Sequence, residues 1–243
     1  MRTDGEYPKL KLGFLWHEIQ NNFIQFDRGV LYTSKALLTR PGFTIREFIE
    51  GKRIKHYKPI ALVLLLATIY VLLYHYFKID LSDGSSSFMQ GVVDGGTKEA
   101  NKNNIISYYG KIEKWANTHY SEQALMQIPF FALGTFIFFR KSGYNYAQFF
   151  VLITFITALG LLVRILLFPI LLVFKNYQYY LLPVPQLVAL IFSLWTCVQF
   201  FNTYSKLKVF SLVLLSYLFA FATGSLLLAI SLFVYNFFVA KLF

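Results

Sequence analysis

The sequence has no acidic residue after Glu122, and this absence is its most informative feature. All 12 Asp and Glu residues lie at or before that position, whereas the last 121 residues carry seven Lys or Arg among long apolar runs. A soluble domain of this size keeps charges of both signs on its surface. Together with 56% hydrophobic residues and 19% aromatics, the missing carboxylates indicate a carboxyl-terminal half whose outer surface meets lipid.

Cysteine is also scarce. Cys197 is the single cysteine, and it lies in an apolar run. One thiol can form neither an intrachain disulfide nor a cysteine-based zinc site, and we interpret it as a small core side chain. The sequence also has no HExxH pair, no GxSxG elbow and no phosphate-binding glycine loop. We therefore expect no catalytic residue, no metal and no cofactor.

The apolar runs predict an all-α integral membrane bundle of about five transmembrane helices. The clearest run, residues 59–77, is free of formal charge, and 19 residues at 1.5 Å each give about 28 Å, close to a hydrocarbon core. Pro169 disfavours a straight continuation of the third run. The last run would reach about 46 Å, which requires tilt, a break near Gly224 or an interfacial tail. The predicted spans cover residues 59–77, 124–139, 146–168, 181–201 and 209–239.

The basic residues predict the orientation of this bundle. The first 58 residues hold 11 Lys or Arg, whereas the loop over residues 78–123 holds five basic and six acidic residues. Because basic loops stay in the cytoplasm, we expect a cytoplasmic amino terminus, an external loop 78–123 and an external carboxyl terminus in a bacterial inner membrane. Anionic headgroups and the insertion machinery both act on basic residues, and this accounts for the net charge of +11. We therefore expect no nucleic-acid partner.

The domain organisation follows from this topology: residues 1–58 form a cytoplasmic collar and residues 59–243 form the transmembrane bundle. Apolar residues from Leu12 to Phe26 recur at helical spacing, which predicts an amphipathic helix at the membrane interface. The sequence Thr44-Ile45-Arg46-Glu47 has the form of a capping box and predicts a short helix from Thr44 to about Gly51.

Seven basic residues of the collar are candidate ligands for lipid headgroups, because each cation near an anionic leaflet gains about 1 kcal/mol. The alternative is a topogenic anchor without a specific ligand. Membrane lipids, anionic ones above all, are the expected partners. The seven candidates are Arg28, Arg40, Arg46, Lys52, Arg53, Lys55 and Lys58.

Polar residues inside the predicted spans are candidates for a cavity. Arg164 is the one formal charge well inside a run, and it either lines a polar site or extends its charge to the outer boundary. The amides of Gln148, Gln186 and Gln199 either line the same cavity or join helices by hydrogen bonds. A separate repeat of small residues, Ser216, Ala220 and Gly224, lets a helix of this chain or of a second protomer pack closely.

The segment Asp27 to Phe77 resembles an uncharacterised bacterial family of multi-pass membrane proteins, known as a domain of unknown function. Many members carry an amino-terminal zinc ribbon, but this chain has no cysteine before Cys197, so zinc is not carried over. In the family, the element that corresponds to Gly143-Tyr144-Asn145-Tyr146 is often followed by an acidic residue and a histidine, where this chain has Gln148 and Phe149. The elements that carry the resemblance are Asp27-Arg28-Gly29, Arg40-Pro41-Gly42, Ile45-Arg46-Glu47, Glu50-Gly51-Lys52-Arg53, Lys58-Pro59 and, later, Gly143-Tyr144-Asn145-Tyr146.

Three functions stay open from the sequence. The leading hypothesis is a non-catalytic membrane scaffold or accessory protein whose collar binds anionic lipid, acting as a homo-oligomer or with a membrane protein partner. The alternative is a transporter or channel for an anionic or lipid-like substrate that reaches Arg164. The third is a membrane-embedded lipid-modifying enzyme, which requires His56, His75 or His119 to meet a carboxylate near the interface.

Overall fold

The computed structural model of the protein describes residues 29–77, 119–174, 181 and 183–242. In these ranges the regular elements are all helical, so the predicted all-α class is confirmed for this part of the chain. The elements are α1 (residues 29–39), α2 (Pro41–Ile49), α3 (Pro59–Tyr76), α4 (Tyr120–Phe138), a 3-10 turn (Arg140–Ser142), α5 (Tyr146–Val173), α6 (Pro183–Phe200) and α7 (Lys206–Leu242).

Four of the described helices are long and apolar enough to cross a membrane: α3, α5, α6 and the Lys206–Leu227 part of α7. Each of them exposes large apolar side chains, such as Leu72, Leu166, Ile191 and Phe221, and acyl chains are the solvent that would cover such residues. The predicted second span is also a helix, α4, but it is not among the four. Its first two turns contain Glu122 and two glutamines, which lower its hydropathy.

Two helices continue past the points at which the sequence suggested an end or a break. The third predicted span was expected to end near residue 168, yet α5 continues through Pro169 to Val173. The backbone N–H of Phe174 donates to the carbonyl of Ile170, so helical bonding resumes directly after the proline. A proline is tolerated within a membrane helix because neighbouring helices and side chains can satisfy the backbone groups that it frees. Of the three alternatives for the last run, the break near Gly224 is not observed, because α7 is continuous through this residue. One helical glycine costs only about 1 kcal/mol.

The predicted capping box at Thr44 is also wrong, because α2 begins three residues earlier, at Pro41. Proline suits the first position of a helix, where its missing N–H has no partner to lose. The Thr44 hydroxyl instead donates back to the carbonyls of Arg40 (2.9 Å) and Ala36 (3.2 Å). A reciprocal capping box occurs at the start of α5, between Asn145 and Gln148.

Helix α5 is the centre of the bundle, with 13 of its 28 residues buried. It packs against α3, α4 and α6, while α7 packs against α4 and α6. The collar helix α2 lies across one end of the bundle, against α6 and α5. The predicted amphipathic helix at residues 12–26, Arg28 and most of the predicted external loop lie outside the described residues.

Candidate functional site

A cavity of about 390 Å³ lies between α4, α5, α6 and α7. Its lining residues fall on one face of each helix, within residues 123–131 of α4, 153–164 of α5 and 186–193 of α6. With a rise of 1.5 Å per residue, these stretches extend over about 12, 16 and 10 Å. The cavity therefore reaches from the end of the bundle opposite the collar to about its middle, and we call it the Arg164 cavity.

The outer part of this cavity is polar and carries one positive charge. Arg164 of α5, Gln123 of α4 and Gln186 of α6 bring three side chains from three helices to this level, and Gln127 follows one helical turn below Gln123. The amides of Gln127 and Gln186 make no hydrogen bond to the described residues. None of the described lining residues is acidic.

The floor of the cavity combines apolar side chains with hydroxyls that already have partners. Tyr217 of α7 donates to the Ser193 hydroxyl at 3.0 Å, and Ser193 donates in turn to the Leu190 carbonyl at 2.8 Å. The Thr157 hydroxyl donates to the Ile153 carbonyl at 2.9 Å. Because each hydroxyl has a single hydrogen to donate, these three residues offer no free donor to a ligand.

The structure brings two of the four predicted cavity residues together, since Arg164 and Gln186 both line the cavity. Gln148 lies at the other end of α5, in the capping box. Gln199 accepts a hydrogen bond from the Gly42 N–H at 3.0 Å, also at the collar end. Sequence reasoning missed Gln123 and Gln127, although their spacing of four residues places both on one face of α4.

At the opposite end of the bundle, α2 is fastened to the carboxyl terminus of α6. The Arg46 guanidinium donates from Nη2 to the carbonyls of Gln199 (2.9 Å) and Phe200, which belong to the last turn and lack partners within the helix. A Cβ at Gly42 would lie 2.6 Å from the Phe200 nitrogen and 2.7 Å from the Thr196 carbonyl oxygen. Only glycine allows so close an approach.

Buried aromatic rings fill the bundle beneath this docked helix. The rings of Phe139 and Phe201 stack with centroids 4.1 Å apart, and the Tyr144 ring lies 4.9 Å from that of Phe200. Phe149 packs against Phe201 and Tyr144. Phe139, Phe149, Phe200 and Phe201 are all fully buried, so this end of the bundle is closed by packed rings.

His56, in the connection between α2 and α3, faces Glu47 with 3.7 Å between Nε2 and Oε2. Burial lowers the pKa of this imidazole below its ordinary value of 6.5, although the nearby Glu47 carboxylate raises it and Arg40 lowers it further. Only 2% of the His56 side chain is exposed, so the pair is a structural contact of the collar. The described residues contain no group of three or more His, Cys, Asp and Glu suited to a metal.

The described candidate headgroup residues divide into those whose charge is paired within the protein and those that are exposed. Arg40 pairs with Glu47 at 3.4 Å, and Arg46 bonds the end of α6. Arg53 lies over the Phe48 ring and donates to the Phe48 carbonyl, but it remains exposed. Lys52, Lys55 and Lys58 are exposed as well. Four cations of the collar therefore face outward at residues 52–58.

The predicted small-residue repeat lies partly in a helix contact. Ser216 and Ala220 of α7 are buried, and a Cβ at Gly134 of α4 would lie 3.0 Å from the Ser216 carbonyl oxygen. α4 and α7 approach each other closely at this point. A Cβ at Gly224 would meet nothing within 4 Å, so the third member of the repeat takes no part in a described contact.

The fold defines a class: an all-helical protein with four described helices able to span a membrane. Residues 27–71 of this chain match the family model described as "Protein of unknown function (DUF3667)". No curated protein and no solved structure matches the chain. The matched segment includes Gly42, Arg46 and His56 and ends within α3, so the similarity concerns the docked collar and none of the described residues that line the Arg164 cavity.

Proposed function

We propose that this chain is a multi-pass membrane protein that binds an anionic ligand in the Arg164 cavity, as the substrate-binding step of a transporter. The observation that carries the proposal is the position of Arg164, a cation that lines a cavity together with the amides of Gln123, Gln127 and Gln186. Intramembrane charges are costly and mark ligand sites or ion paths. The function proposed is therefore recognition of an anion from the end of the bundle opposite the collar.

The size and chemistry of the cavity support this proposal. Small-molecule sites have volumes of about 300 to 1,000 Å³ and a few convergent polar groups on mainly apolar walls. A guanidinium has five N–H donors in a planar fork. Arg164 can thus hold a carboxylate or phosphate while it keeps another contact, and the amides of Gln127 and Gln186 add donors beside it.

The distribution of charge supports an outward-facing cavity and α4 as a fifth span. Lys52, Lys58, Arg140 and Lys206 lie at the collar end, where α3, α5 and α7 begin and α4 ends. Under the positive-inside rule this end is cytoplasmic. α4 packs along α3, α5 and α7, which is the place of a transmembrane helix, and its polar residues Gln123 and Gln127 face the cavity rather than lipid.

The test is anion binding by the full chain in lipid nanodiscs, measured by calorimetry with acetate, inorganic phosphate and octanoate, after subtraction of empty nanodiscs. We expect Arg164→Gln to weaken binding at least tenfold and Arg164→Lys to retain part of it. Arg140→Gln, at the collar end, is the matched control and should leave binding unchanged. An anion affinity that is the same in Arg164→Gln as in the unsubstituted protein, or no binding of any of these anions, would overturn the proposal.

A second candidate function is the lipid-binding scaffold, which the four outward cations of residues 52–58 favour. Charge reversal of Lys52, Arg53, Lys55 and Lys58 should abolish any preference for phosphatidylglycerol over phosphatidylcholine in the lipid that copurifies. Charge reversal of Arg140 and Lys141 is the control for charge number. Unchanged lipid preference and unchanged insertion in the fourfold variant would exclude this role. The enzyme hypothesis requires a histidine to meet a carboxylate, and His56 lies 3.7 Å from Glu47, but only 2% of the His56 side chain is exposed to a substrate.

A further inference from the structure

We infer that the ligand of the Arg164 cavity is an amphiphile with an anionic head and one acyl chain. This inference rests on the proposed function and adds the ligand class. The head would lie at the level of Arg164, and the chain would run toward the middle of the bundle. Free fatty acids and single-chain phospholipids share this chemistry.

The polarity of the cavity changes along its depth in the way such a ligand requires. The positive charge of Arg164 and the amides of Gln186 and Gln127 lie in the outer part. Deeper, the walls are formed by Ile153, Phe131 and other apolar side chains. A small, wholly polar anion would leave this inner part without a partner, whereas an acyl chain would remove its apolar surface from water.

The hydroxyl groups at the floor of the cavity have no hydrogen left to donate to a second polar group on the ligand. The hydroxyl hydrogens of Thr157, Ser193 and Tyr217 are donated within the protein, to the Ile153 carbonyl, the Leu190 carbonyl and the Ser193 hydroxyl respectively. A polar ligand group at this depth would find acceptors but no free hydroxyl donor, and burying a polar group without full hydrogen bonding is costly. The inner end of the cavity is therefore suited to a methyl terminus.

The dimensions favour one chain. The volume of about 390 Å³ lies at the low end of the range for ligand sites. Gly160 on α5 and Ala189 on α6 both line the cavity and lie close together, with 3.7 Å between the Ala189 Cβ and a Cβ built at Gly160. An alanine at position 160 fits at that distance, but a larger side chain would enter the cavity.

The experiment is a chain-length series of sodium alkanoates, acetate to decanoate, titrated into the full chain in nanodiscs with empty nanodiscs subtracted. Each buried methylene should tighten binding about fourfold, which corresponds to about 0.8 kcal/mol, until the chain reaches the floor and affinity levels off. Gly160→Leu should remove the gain beyond the shortest chains, while Gly160→Ala should keep it. Alkylammonium ions of the same lengths should not bind.

The outcomes separate this inference from the proposed function. If acetate binds as tightly as octanoate and binding still depends on Arg164, the anion site stands and the amphiphile class is wrong. If alkylammonium ions bind as well as alkanoates, the head assignment is wrong. Should Arg164→Gln fail to fold, Gln127→Leu and Gln186→Leu test the outer zone with the charge intact, and affinities unchanged in both would overturn the inference. A lysophospholipid arm then distinguishes a membrane lipid from a free fatty acid.

Discussion

The two ends of the bundle use polar side chains in opposite ways. At the collar end, Arg46 and Gln199 are committed to backbone groups of α6 and α2, and aromatic rings close the space beneath them. At the cavity end, Arg164 and Gln186 line a cavity between α4, α5, α6 and α7. The comparison teaches that polar residues join helices where their partners are main-chain atoms, and it supports our proposal that polar residues bind a ligand where the helices enclose a cavity.

The comparison predicts that substitutions at the collar end change stability and leave anion binding intact. The largest effect is expected for Gly42→Leu, because its Cβ would meet backbone atoms of α6 that cannot move alone. We expect a loss of about 3 kcal/mol or more in the free energy of unfolding, measured by denaturant titration in detergent. Gly224→Leu is the matched control and should cause no loss of stability, because a Cβ there meets nothing within 4 Å and leucine is the better helix former. Equal stabilities of the two variants would contradict the docking of α2.

Arg46→Gln should have the next largest effect, about 2 kcal/mol, the range for a hydrogen bond to a charged group. The loss arises because the carbonyls of Gln199 and Phe200 would lose their cationic donor at the negative end of the helix dipole. The same unfolding titration checks it. Arg140→Gln, which removes an exposed arginine, serves as control; a cost as large as that of Arg46→Gln would show that charge number, and not capping, is responsible.

His56 makes the collar end sensitive to acid. Its pKa is lowered from 6.5 in the folded state, chiefly by burial, so the unfolded chain binds the proton more readily than the folded protein. Stability should be fully present above about pH 6.5 and should fall as the pH drops from there through the lowered folded pKa. His56→Gln should flatten this part of a stability profile measured between pH 5 and 8.

Tyr217→Phe is expected to have the smallest effect, because it removes one hydrogen bond between helices, worth about 0.6 kcal/mol in a membrane protein. Anion binding should persist, since the Tyr217 hydroxyl bonds Ser193 and lies at the floor. Tyr76→Phe, at an exposed position of α3, is the control for loss of a hydroxyl. A large fall in acetate affinity in Tyr217→Phe would break the division of the cavity into an outer polar and an inner apolar zone.

Local patterns predicted the apolar helices well. Residues 59–77 were expected to span the membrane, and α3 covers Pro59–Tyr76, because an uninterrupted apolar run and a proline at its start are both signals within one segment. Residues 181–201 were likewise expected, and α6 covers Pro183–Phe200. Arg164 was singled out by its charge alone, which marks a residue but says nothing about the helices that face it.

Features that depend on distant partners were not predictable in this way. Thr44 and Glu47 have capping-box spacing, but Glu47 contacts Arg40 and His56 instead. Gln148 and Gln199 looked like cavity residues, and each bonds a backbone N–H at the collar end. Spacing along one helix gives the direction of a side chain, whereas its partner is set by packing between helices.

The contact between Gly42 and Gln199 joins residues 157 positions apart. A ribosome adding about 5 to 20 residues per second needs on the order of 10 to 30 s to make the intervening chain. During that interval α2 has no α6 to dock on, and the guanidinium of Arg46 has no carbonyls to bond. Helix α2, which lies in the segment matched by the family model, thus reaches its docked position only after α6 has been made.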